Sequence, residues 1–186
     1  VPDRGPALTR HLDRTLLRLP SVALEAAARA LNEIAAVTLR EALDLLATRP
    51  LGREEQEQLQ AADTAMKETV AFLGRIQAGG DGNSTYVRRL SLLHARDHLD
   101  RLIEACLESE TPVRGAKVQD AAARLVPELE AAVAWLLGEQ GNADALVRRL
   151  GEASQRQAEE RRRYRVRLLE DTAAGEIDPE EAQRLL

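Results

Sequence analysis

Apolar positions recur along this chain at helical intervals, and polar residues fill the positions between them. Leu24, Leu31 and Leu45 recur by sevens, and Ala28, Ala35 and Ala42 form a parallel column. Side chains spaced in this way share one face of a 3.6-residue helix. The pattern predicts a first helix from Ser21, which follows Pro20 and can act as its cap, to about Thr48. Arg49-Pro50-Leu51-Gly52 reads as a turn. A second helix is expected over about 53–77, with Leu59, Ala62, Met66, Leu73 and Ile76 on its buried stripe. Residues 1–20 form a lead-in with a short helix over 7–18.

The segment from Gly79 to Asn83 reads as a loop, and Ser84 as the cap of a third helix reaching about 109. This helix has two unlike faces. Leu92, Ala95, Leu99, Leu102, Ile103 and Cys106 gather on one side at roughly 100° per residue. Asp97, Asp100 and Glu104 fall on the far side, at i, i+3 and i+7. Tyr86, Leu90 and Leu93 lie on that second side too, so it is not a purely solvated surface and the helix can sit between two packing partners.

Thr111-Pro112-Val113-Arg114-Gly115 separates the halves of the chain. A fourth helix follows to about 137, with Val118, Ala122, Leu125, Leu129, Ala132 and Leu136 inward. Pro127 lies inside it, where a proline removes a backbone donor and crowds the preceding turn, so a kink or a break is expected. The fifth helix spans about 142–173, with Gly175 as its C′ residue. Asp178-Pro179-Glu180-Glu181 then combines an N-cap, a first-turn proline and two carboxylates, a strong helix start. The chain stops about two turns later, so this sixth helix reads as incomplete. The expected architecture is all-α: two antiparallel three-helix bundles, residues 21–110 and 111–186, the second truncated at its last helix.

Composition narrows the picture. Aromatic residues are 2% of the 186, far below what a sandwich or barrel uses, while Ala, Leu, Glu, Arg and Gln dominate. A net charge of −5 argues against nucleic acid as the main partner. Arg161-Arg162-Arg163 is a local exception. It follows Glu159-Glu160 and reads as a solvated helix face with i,i+4 pairing, or alternatively as a patch for a phosphate or a membrane headgroup. Cys106 is the only cysteine, so it forms no intrachain disulfide and reads as a small core residue. No apolar run approaches the roughly 20 residues of a membrane span. The first residue is Val1 rather than Met, which fits an excised or processed chain.

Little here points to catalysis. The lone thiol sits on the apolar stripe, the glycine-rich loop lacks a following Lys-Ser/Thr, and no His or Cys spacing matches a zinc site. No enzymatic activity is expected. The acidic face of helix three is the one chemical candidate. Asp97, Asp100 and Glu104 offer hard oxygen ligands suited to Mg²⁺, Mn²⁺ or Ca²⁺, and able to take iron. The plainer reading pairs these acids with Arg101 and other arginines; an acidic docking face is the third. His94 points toward the side of Asp97, His98 reads as a boundary histidine at the edge of the stripe, and His11 carries no inference.

Asp97-His98-Leu99-Asp100-Arg101-Leu102-Ile103-Glu104 resembles the third-helix signature of PhoU proteins, and the longer run Leu93-His94-Ala95-Arg96 through Leu102 extends the likeness. The resemblance is closer to the PhoU-like cytoplasmic domains at the C-terminus of bacterial sodium/phosphate cotransporters, which carry a Leu-His-x-x-Asp-His-Leu-x-Arg-Leu pattern. Leu12 to Leu17, Pro20 to Ala27, and Leu168 to Ile177 also look like segments of such domains. The resemblance implies paired three-helix bundles and a regulatory role in phosphate uptake, on the cytoplasmic side of the bacterial inner membrane. The implied partner is the transmembrane transporter part of the same protein; a homodimer is also compatible. A free-standing PhoU-type adaptor is the alternative, and a metal-binding helical bundle a more distant one. PhoU relatives often bind metal clusters through a Glu four residues before the signature Asp. Leu93 stands at that position, and Asp97 matches the Asp.

Overall fold

A computed structural model describes residues 8–47, 49–76, 82–108, 116–138 and 142–185, of which 82–83, 116–122, 181 and 184–185 are described as backbone only. Every regular element among them is helical. A short 3-10 helix, Arg14–Arg18, precedes α1 (Pro20–Leu46), α2 (Arg53–Arg75), α3 (Gly82–Glu108), α4 (Ala116–Leu136), α5 (Ala143–Ala173) and α6 (Pro179–Leu185). The chain divides into two compact units, Val1–Gly141 and Asn142–Leu186.

In the first unit α1 packs against α2, α3 and α4. Its core forms three layers. Ala23, Leu24 and Ala27 at the start of α1 meet Phe72, Leu73 and Ile76 at the end of α2, with Leu92 and Leu93 of α3 beside them. Leu31 and Ile34 meet Ala62, Ala65 and Met66, with Ile103. Ala42 and Leu45 at the end of α1 meet Leu59 near the start of α2, with Cys106 of α3. The order of these contacts makes α2 antiparallel to both α1 and α3, the up-down-up arrangement expected of the first bundle. Leu12, Leu16 and Leu17 of the lead-in close the first layer. Arg10 and His11 hold that segment to α1 through Glu33 Oε1, at 2.7 and 3.0 Å.

Local chemistry sets the helix ends. Pro20 occupies the first turn of α1, where its missing N–H is no loss, and the N-cap Leu19 supplies no side-chain cap. Ser21 therefore lies inside the helix rather than capping it. Ser84 likewise lies inside α3, whose first residue is Gly82. Of the loop expected over 79–83, Gly82 and Asn83 instead begin α3, and the rest of it and the linker at 111–115 fall outside the described residues. Glu54 and Glu55 occupy the first turn of α2, where the helix dipole favours carboxylates.

The stripe positions of α2 are all buried, as expected. On α3, Ile103 and Cys106 are buried and Leu92, Leu99 and Leu102 pack against the core, whereas Ala95 is exposed. Leu93 turns to the core, while Tyr86 and Leu90 stay exposed. Buried Thr38 and Thr69 donate their hydroxyls to the carbonyls of Ile34 and Ala65, at 2.9 and 2.8 Å, so neither leaves a polar atom unmet.

The place of α4 departs from expectation. The expected boundary after residue 110 does not separate the units: α4 packs on α1 and belongs to the first unit. The reason lies in α1, which buries Ala26, Ala30 and Ala36 as well as its Leu and Ile positions. These alanines let a second helix approach closely. α4 buries Ala132 and Val133 and runs through Pro127 without a break. Val118 and Ala122 lie where side chains are not described. Gly138, with φ of 85°, ends the helix, its N–H bonding the carbonyl of Trp135 at 3.0 Å.

The second unit is a helical hairpin in which α6 packs back on α5. Asn142 caps α5 by accepting from the Ala145 N–H at 3.1 Å. The turn between the helices is a Schellman motif. Gly175, at φ 75°, donates to Thr172 O at 3.1 Å, and Glu176 donates to Asp171 O at 2.9 Å. Asp178 then caps α6 through the Glu180 N–H at 2.8 Å, with Pro179 as the first helical residue. The two strongest punctuation signals in the sequence thus act as read.

One buried group opposes this packing. Glu41 is 3% exposed, and its Oε2 meets no hydrogen-bond partner. Burial raises its pKa, reinforced by the charges of Asp44, Glu55 and Glu54 and opposed by Arg40. Folding therefore favours the protonated carboxyl. The stability that this confers is fully present below the ordinary glutamate pKa and is lost as pH rises through the raised one. Glu41→Gln is expected to stabilise the chain by about 1 kcal/mol at pH 8 and to flatten that pH dependence. Urea melts between pH 4 and 8 check this; parallel curves for wild type and variant contradict it.

Candidate functional site

The acidic side of α3 is exposed because Ile103 and Cys106 fix the opposite side in the core. Near the start of the helix, Arg88 pairs with Glu25 of α1, and Arg89 Nη1 donates to the Ile76 carbonyl of α2 at 3.2 Å. These contacts set the rotation of α3 and so the direction of its carboxylates.

Arg96 dominates the site. Its Nη1 lies 2.9 Å from Asp97 Oδ1 and its Nη2 lies 3.1 Å from Asp100 Oδ2. One guanidinium thus clamps both aspartates. Asp100 also faces α2: with Asp63, it holds the Lys67 ammonium above its ordinary pKa, the hydrogen bond from Lys67 to Asp63 (2.6 Å) being the larger cause. Glu104 is exposed and has no ion-pair partner among the described residues. Arg101 reaches the Asp97 carbonyl at 3.2 Å and His98 Nδ1 at 3.1 Å rather than a carboxylate. His94 and His98 are both exposed.

Asp97, Asp100 and Glu104 therefore share a helix side without converging. Among the described residues, no group of three or more His, Cys, Asp or Glu side chains is placed to hold a metal ion. The arrangement is a partly neutralised acidic face, with Glu104 as its open carboxylate. Cys106 is buried, and both burial and the Glu41 charge raise its pKa, which keeps the thiol protonated and poorly nucleophilic. On α5, Arg163 reaches Glu159 at 3.8 Å, the i,i+4 pairing expected of that run.

The sequence reading missed Arg96 as the clamp. Its spacing to Asp100, i to i+4, was the available signal. It also missed Glu41, which follows Ile34 by seven residues and precedes Leu45 by four, and so sits on the buried stripe.

The all-helical bundle defines the fold class and no more. The chain matches no protein-family model, no curated protein and no solved structure.

Because Arg96 already neutralises two of the three acids, millimolar Mg²⁺ or Mn²⁺ is expected to leave the melting temperature unchanged. Thermal melts of wild type and Asp97→Asn/Asp100→Asn with and without each ion test this. A rise of several degrees that the double variant abolishes contradicts it.

Proposed function

We propose that this chain is a PhoU-like regulatory domain that modulates phosphate uptake by a sodium-dependent phosphate transporter. It performs no chemistry of its own in this reading. It acts from the cytoplasmic side of the membrane through helix-face contacts. Its partner is the transmembrane part of the transporter.

The observation that supports the reading is the presentation of one segment. Asp97 to Glu104 carries the family-like pattern, and α3 keeps Leu99, Leu102, Ile103 and Cys106 inward while Asp97, His98 and Glu104 face outward. The up-down-up packing of α1, α2 and α3 agrees with the implied bundle. No helix among the described residues is long and apolar enough to cross a membrane, so in this reading the spans belong to the transporter part. Regulation requires the exposed face to bind one transporter state more tightly than the other.

The test is phosphate uptake in bacteria expressing the natural coding sequence, wild type against Asp97→Lys/Glu104→Lys. The expected result is a change in initial uptake rate of about fivefold at equal protein abundance and unchanged thermal stability. Equal uptake by the two contradicts the proposal.

A further inference from the structure

The acidic chain carries one strongly basic, exposed segment. Arg161, Arg162, Arg163, Arg165 and Arg167 fall within seven consecutive residues of α5, and all seven are exposed. Arg163 is paired with Glu159. Arg161, Arg162, Arg165 and Arg167 make no ion pair or side-chain hydrogen bond among the described residues. Five arginines held this close repel one another, and the open guanidinia present their charge outward.

Three of the five, Arg161, Arg162 and Arg165, share one side of the helix. At roughly 100° per residue, Ala158, Arg162, Arg165 and Leu169 line up along one side of α5, with Arg161 and Val166 on its flanks. These six residues line an open concavity of about 370 Å³. Val166 and Leu169 are 49% and 59% exposed, so apolar surface sits among the charges. No carboxylate interrupts this stripe. Glu152, Glu159 and Glu170 fall together roughly a quarter turn away, and Glu160 and Asp171 lie on the opposite side.

We propose that this side of α5 is an interfacial surface that binds an anionic phospholipid bilayer. Arg161, Arg162 and Arg165 on this side, in a chain of net charge −5, complement a negatively charged occupant. Exposed aliphatic side chains between them select a bilayer over other polyanions. Val166 and Leu169 can enter the headgroup boundary while the arginine stems lie along it and their guanidinia reach phosphates. A nucleic acid offers no such apolar layer, and the one aromatic ring of the segment, Tyr164, points away from the stripe. A planar surface also needs only one side of one helix, which spares it the repulsion of the remaining acidic surface. This inference stands apart from the transporter proposal, because purified chain suffices to test it.

The experiment is co-sedimentation of the full chain with phosphatidylglycerol vesicles and with phosphatidylcholine vesicles, at low and moderate salt. Binding is expected to phosphatidylglycerol only. It is expected to fall at least tenfold in Arg162→Glu/Arg165→Glu, to fall severalfold in Leu169→Ser, and to change less than threefold in Arg167→Glu, on the far side of the helix. Circular dichroism on each variant verifies that the helices persist. The proposal is overturned by no binding at low salt, by equal loss from the stripe and far-side variants, or by displacement from vesicles by single-stranded RNA that the chain binds more tightly. Inorganic phosphate that releases the chain at millimolar concentration identifies a free-anion site instead and also overturns it.

Discussion

The enclosure of α1 is the constraint on which the first unit depends. Thirteen of its 27 residues are buried, and they run from Ala23 to Leu45. Leu24, Leu31, Ile34 and Leu45 supply the bulk that α2 and α3 close over. The alanines supply the opposite property, a smooth side that another helix can approach. Burial of apolar area drives each of these contacts, so the three partner helices are coupled through one shared element. A substitution in α1 is therefore felt on several interfaces, whereas one on the outer side of α2 or α3 is felt on none.

Much of this was legible in the residues. The stripe of α2 could be read because Leu59, Ala62, Met66, Leu73 and Ile76 recur at helical spacing, with Asp63, Lys67, Glu68 and Arg75 among the positions between them. The turn from α5 to α6 could be read because Gly175, Asp178 and Pro179 each have a backbone reason to stand where they do. The place of α4 could not. Periodicity says that Ala26, Ala30 and Ala36 need cover, but not which helix provides it, and a Thr-Pro-Val-Arg-Gly linker looks like a boundary whether or not the chain folds back across it. The start of α1 moved by one residue because a proline at the first position replaced the expected serine cap.

The candidate site was legible in position and not in pairing. The far side of α3 was assigned its three acids correctly, since Ile103 and Cys106 fix the inward direction. What helix geometry left open was which cation meets them. Arg96 lies one residue before Asp97 and four before Asp100, its long side chain can turn to either, and in the fold it meets both. The charge plan that results is asymmetric. Asp97 and Asp100 of α3 are neutralised within the fold by Arg96, while Arg161, Arg162, Arg165 and Arg167 of α5 make no ion pair among the described residues. The second arrangement leaves guanidinia beside the exposed Val166 and Leu169.

Native-state hydrogen exchange tests the central role of α1 most directly. The amides from Ala23 to Leu45 are predicted to exchange only through global unfolding of the first unit, with protection at least equal to that of α2 and α3. Exchange of α1 through a cheaper local opening, while α2 and α3 stay protected, would contradict the account.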